Sequence, residues 1–124
     1  MKDPFLDEIE PQTVARKLLE KDIQSACVKW ARARGWWARK FASPANRSVP
    51  DYLFGRDGCT IFAEFKAPGK KATEAQLEEH AAMAAVGLSV HVIDDVTRFK
   101  SLFGEWEKQI ANSVYANKML EPVK

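Results

Sequence analysis

The chain has 124 residues, 46% of them hydrophobic, and its 19 basic and 17 acidic side chains leave a formal net charge of +2. That length suits one compact core with little room for a second, and the near-balanced charge excludes a grossly basic nucleic-acid coat. Cys27 and Cys59 are too few and too far apart for a disulfide scaffold or a zinc site, and the lack of a membrane-length apolar run or a signal-peptide pattern predicts a soluble, cytoplasmic protein with no membrane partner.

Residues 1–10 are acidic and irregular and read as a flexible arm. From Pro11 to Arg34 the pattern is helical. Leu19, Ile23, Ala26, Cys27 and Trp30 step by threes and fours into one apolar stripe, and Gly35 is a natural stop. Glu20 sits at one border of that stripe and Asp22 at the other. Trp36 to Phe41 reads as a strand, on which only one of the adjacent Trp36 and Trp37 can face inward. The other is free to pack on the sheet, stack on a base or cover a dimer surface. Ala42 to Val49 is a loop. Tyr52-Leu53-Phe54 and Thr60 to Lys66 flank the turn-forming Gly55-Arg56-Asp57-Gly58 and predict a hairpin. Thr73 opens a helix to Val86, where Thr73-Glu74-Ala75-Gln76 fits a capping box. Leu88 to Ile93 is a fourth strand, and Asp94-Asp95 start a helix through about Ile110. Residues 111–124 either continue that helix or serve an interface.

The order is α-β-β-β-α-β-α, in one domain over residues 11–110. A helix between strands three and four implies a crossover, hence an α/β fold with a mixed central sheet of about four strands flanked by helices.

The chemistry centres on Pro50-Asp51 and Glu64-Phe65-Lys66. Alternation puts Glu64 and Lys66 on one face of their strand, and a hairpin brings Asp51 close to Glu64. Two carboxylates hold a hard divalent cation through oxygen, and a cation with an ammonium beside it suits phosphodiester hydrolysis. The same residues also fit a turn acid followed by a solvated Glu–Lys pair. Basic side chains flank the acids in sequence: Lys29, Arg32, Arg34, Arg39, Lys40 and Arg47 before them, Lys70 and Lys71 after. They suit a phosphate backbone or merely a soluble surface. His80 and His91 lack a ligand-spaced partner.

Asn46-Arg47-Ser48-Val49-Pro50-Asp51-Tyr52-Leu53-Phe54, then Phe62-Ala63-Glu64-Phe65-Lys66-Ala67-Pro68-Gly69, Thr73 through Gln76, and Gly87 before a strand together resemble the VRR-NUC branch of the PD-(D/E)XK nuclease superfamily. The resemblance spans about residues 18 to 95, with Ser48 where a glycine is usual. It implies a restriction-endonuclease-like core. It also implies that Asp51, Glu64 and the main-chain carbonyl of Phe65 ligate Mg²⁺ or Mn²⁺, and that Lys66 positions the attacking water. Glu20 would bind the metal directly or through water, and Gln76 would add a site role to its capping role. Arg39, Lys40, Asn46, Arg47, Lys70 and Lys71 are the expected DNA contacts. Stand-alone members of this branch imply a homodimer that nicks branched DNA, four-way (Holliday) junctions first. A flap, fork or nonspecific nuclease of the same fold, a catalytically silent DNA-binding module and a plain structural domain are the alternatives.

Overall fold

The computed structural model describes residues 11–120, with side chains from Glu20 to Ser113. The expected arm at residues 1–10 and the side chain of Leu19 lie outside those described residues.

Helix α1 (Pro11–Ala33) ends where expected. Gly35 has φ +91°, the left-handed conformation that closes a helix and that side-chain-bearing residues resist. Strand β1 (Trp37–Lys40) pairs antiparallel with β2 (Tyr52–Arg56), and β2 with β3 (Cys59–Phe65). The β2–β3 turn is Asp57-Gly58, with φ +47° and +85°, the doubly positive pair whose twist matches a two-residue hairpin. Helix α2 (Glu74–Ala85) then crosses over to β4 (Ser89–Ile93), which pairs parallel with β3. The sheet order β1-β2-β3-β4 is therefore mixed, as the crossover implied. Helix α3 (Val96–Leu120) begins at Asp95, whose carboxylate accepts from Arg98 N at 2.8 Å. It runs past the expected end near Ile110, so the C-terminal extension is helical through Leu120.

β3 is buried on both faces: Ile61, Phe62, Ala63, Glu64 and Phe65 are all shielded. On one face Phe54, Ile61, Ala63, Phe65 and Ile93 pack with Ile23, Cys27 and Ala31 of α1 and with Phe99 and Phe103 of α3. The Phe99 and Phe103 rings stack at 4.0 Å, and Phe54 meets them at 5.5 and 5.0 Å. Each such phenylalanine contributes roughly 1.5–3 kcal/mol by leaving water. Cys27 belongs to this core, and burial pushes its thiol up to about 12. The α1 stripe differs from expectation at two points: Ala26 is exposed, whereas Val28 and Ala31 are buried. α1 packs on both α3 and the sheet, which widens the buried arc toward Val28 and Ala31.

The two tryptophans divide as alternation required, Trp36 being 2% exposed and Trp37 47%. Trp36 Nε1 donates to Glu107 of α3 at 3.3 Å. Glu107 also takes a two-pronged bond from Arg34, at 2.8 and 2.9 Å, and a third cationic contact from Arg56 at 2.9 Å. One carboxylate thus ties α3 to the end of α1 and to the first two strands. Among the described residues no helix is long and apolar enough to cross a membrane.

Candidate active site at the ends of β2 and β3

Strand register positions the acids. Tyr52 pairs with Ala63, so Asp51, one residue before β2, stands opposite Glu64 near the end of β3. Cross-strand partners point to the same face. Asp51, Glu64 and, two residues on, Lys66 therefore share the face opposite the phenylalanine core. Asp51 is anchored twice: its carbonyl accepts from Phe41 N at 2.6 Å, and its Oδ2 accepts from Phe65 N at 2.9 Å. Lys66 N donates to Ile93 O at 2.9 Å, which fixes the main chain that carries the ammonium.

Glu64 is the buried member, with its side chain 4% exposed. Desolvation raises its carboxyl most, and Asp51, close enough to share a proton with it, raises it further, up to about 8. Lys66 acts in the opposite direction. Two carboxylates forced together in a dry site hold a proton in place of a counter-ion. Their oxygens, with the nearby Phe65 carbonyl, form a hard donor set of the kind Mg²⁺ or Mn²⁺ takes, so the residues present fit the implied cation.

Glu20 approaches without joining. It is exposed on α1, and of the charges that raise Glu64 its push is the smallest. Among the described residues no three His, Cys, Asp or Glu side chains are grouped to hold a metal. Gln76 is engaged in the capping box: its Oε1 accepts from Thr73 N at 2.9 Å and its N–H donates to Thr73 Oγ1 at 3.1 Å.

The basic residues separate. Arg39 lies on the acids' face, its guanidinium 5.0 Å from the Trp37 ring centre, whereas strand alternation sends Lys40 the other way. Asn46 is built into the loop before Asp51. Its Oδ1 accepts from Ser48 N, and its Nδ2 donates to Glu79 of α2 at 2.9 Å. Arg47 is exposed on the same loop. Lys70 and Lys71 are exposed and line an open groove of about 460 Å³ with Leu77, Val92, Asp94 and Arg98.

Sequence reasoning missed His80. Gln76, His80 and Met83 form one stripe of α2, and His80 and Met83 are buried. The i, i+4, i+7 spacing was legible, but the alanine-rich helix gave no contrast to show which face packs. His80 Nε2 lies 4.0 Å from Glu64 Oε1. Burial is the main cause that lowers the imidazole pKa.

No family model matches the chain. It is 45% identical over 80 residues to "Putative nuclease p44" of Acyrthosiphon pisum secondary endosymbiont phage 1, an alignment that covers 64% of this chain and 86% of the phage protein. A solved structure described as a VRR_NUC domain superposes with a TM-score of 0.65 at 25% identity, covering 69% of this chain and 95% of that one. The mixed four-stranded sheet is thus a VRR-NUC, restriction-endonuclease-like fold, and the chain belongs to the VRR-NUC nuclease family.

Proposed function

We propose that the protein is a Mg²⁺- or Mn²⁺-dependent endonuclease that nicks branched DNA, four-way junctions foremost, as a homodimer. The observation that carries this reading is the convergence of Asp51 and Glu64 on one sheet face with Lys66 directly after the same strand. Asp51, Glu64 and the Phe65 carbonyl would hold the cation, with Glu20 at its rim. The cation supplies a lowered pKa for water and an offset for the charge of the phosphodiester transition state.

The chain's own groups do the rest. The Phe65 amide holds one oxygen of Asp51 and so fixes the orientation of that carboxylate. Lys66 places an ammonium on the acids' face, where it steadies the attacking water and the growing phosphate charge. Burial of Glu64 keeps the local dielectric low, which strengthens both effects. Gln76, on the α2 stripe that faces the acids, lines the site beyond its capping bond. Arg39, Arg47, Lys70 and Lys71, with Arg98 added by the groove, would carry the DNA backbone. Contacts of that kind position a duplex without reading its sequence. Junction preference then falls to geometry: symmetrical nicking needs two equal sites, which a two-fold dimer provides.

The test is incubation with a labelled immobile four-way junction and a matched linear duplex, in Mg²⁺, Mn²⁺ or EDTA, alongside Lys66→Ala. Paired symmetrical nicks in the junction alone, lost in EDTA and in the variant, are expected. Cleavage of every substrate would retain the nuclease and reject the junction preference. Binding without cleavage in any metal would reject the enzyme in favour of a silent module.

A further inference from the structure

His80 and Glu64 present an unresolved contact. Glu64 Oε1 and His80 Nε2 are both shut off from solvent, and neither has a hydrogen-bond partner. They face each other across 4.0 Å, too far for a hydrogen bond and too close for an intervening water. A buried polar atom left unsatisfied costs about 1–3 kcal/mol, so two such atoms aimed at one another require a reason. A leucine or methionine on this stripe would pack against β4 without that cost.

The surroundings narrow the reason. His80 belongs to the one face of α2 that meets the sheet, so it cannot turn to water without unseating the helix. Gln76, one turn earlier on the same stripe, has its Oε1 committed to the Thr73 amide. The Asn46–Glu79 bond clips the loop that precedes Asp51 to the residue beside His80. His80 does not complete a ligand set with the two acids, because no such group of three exists among the described residues.

We propose that His80 is a positioning residue for Glu64: its Nε2–H donates to Oε1 when the other Glu64 oxygen is drawn to a divalent cation. The inference rests on the metal-dependent reading above. It adds a residue that acts through Glu64 and touches neither substrate nor cation. A ligand carboxylate free to rotate in a buried site loses affinity for the ion, and groups that orient metal ligands are commonly worth 10–100-fold in affinity. A gap of 4.0 Å closes with a small rotation of Glu64 about its last side-chain bond, a broad and soft torsion.

The experiment uses the full chain and titrates Mn²⁺ alone by calorimetry into wild type, His80→Leu and His80→Gln, with melting in EDTA as a control for folding. The glutamine amide nitrogen reaches about where Nε2 stands, whereas leucine offers no donor. His80→Leu should bind Mn²⁺ about tenfold more weakly. His80→Gln should stay within about threefold of wild type, and His80→Leu should melt in EDTA no lower than wild type. If leucine proves intolerable at this position, His80→Asn, whose amide stops short of Glu64, should show the same loss of affinity. Equal Mn²⁺ affinity in wild type and the donor-free variant would overturn the role of His80 and leave the nuclease reading standing. Equal weakening in the leucine and glutamine variants would also overturn it, since a donor would then be irrelevant. A wild type that takes up no Mn²⁺ would overturn both readings.

Discussion

Glu64 and Glu107 are both largely buried acids, with side chains 4% and 11% exposed, and the fold treats them in opposite ways. Glu107 accepts from Arg34, Trp36 and Arg56. Its bond to Arg34 is the main cause that lowers its carboxyl pKa. Glu64 has no cationic hydrogen-bond partner among the described residues, and burial together with Asp51 raises its carboxyl. A carboxylate whose charge is satisfied within the protein holds elements together. One whose charge is left over is poised for something that arrives from outside. A strongly perturbed acid in a dry site with a like-charged neighbour is the usual mark of function rather than of stability.

The widest separation between the two should appear in activity. Asp51→Ala and Lys66→Ala should each lower DNA cleavage in Mg²⁺ by about 100-fold or more while melting within a few degrees of wild type. Glu107→Gln should cut at close to the wild-type rate below its melting point. A cleavage defect in Glu107→Gln larger than in Lys66→Ala would break the contrast.

Stability should show the reverse order. Glu107→Ala leaves Trp36 Nε1 and two guanidinium groups without their acceptor, and should cost about 2 kcal/mol in denaturant unfolding. The acids of the site, which repel one another when no cation is present, should cost less when removed or even stabilise the metal-free fold.

The two acids also predict opposite pH trends. Glu64 has a raised folded-state pKa, so its contribution is complete below its ordinary value of 4.5 and is lost as pH rises toward about 8. In EDTA, wild type should therefore fall behind Glu64→Gln across that window, by at most about 1.4 kcal/mol per pH unit. Glu107 has a lowered pKa, so its contribution is present above the ordinary carboxyl range and is lost as acid protonates it. Wild type should then lose its advantage over Glu107→Gln as pH falls. Parallel pH curves for the two variants would remove the electrostatic distinction.

The smallest effect sharpens the assignment of Gln76. Thr73→Ala removes the cap of α2 and should cost about 1 kcal/mol with cleavage almost unchanged. Gln76→Ala removes its half of the same cap. If it lowers cleavage well beyond Thr73→Ala at equal melting temperature, Gln76 serves the site as well as the helix.

Local chemistry made much of this legible in advance. The Thr73 capping box and the stops at Gly35 and Gly87 are decided by a few neighbouring residues and stand where the sequence placed them, whereas the expected four-residue turn tightens to Asp57-Gly58 because Gly55 and Arg56 pair within β2. Alternation allowed only one of Trp36 and Trp37 to face inward, and packing against α3 made it Trp36. The extension of α3 past Ile110 was left open between helix and interface, and the structure makes it helix through Leu120. His80, Glu107 and the burial of both faces of β3 were not legible at all, since each depends on residues far away in the chain.

By itself, the sequence determined the element order, the hairpin and the approach of Asp51 to Glu64, because pleat, turn and register act over a few residues. Only the tertiary structure decided which acids are left without a counter-charge. Helix α2 folds over one face and seals Glu64 beneath His80, while α3 crosses the other and delivers Glu107 to two arginines. Desolvation and charge pairing are properties of that packing, so the distinction between a structural acid and a candidate catalytic one emerges only when the layers close.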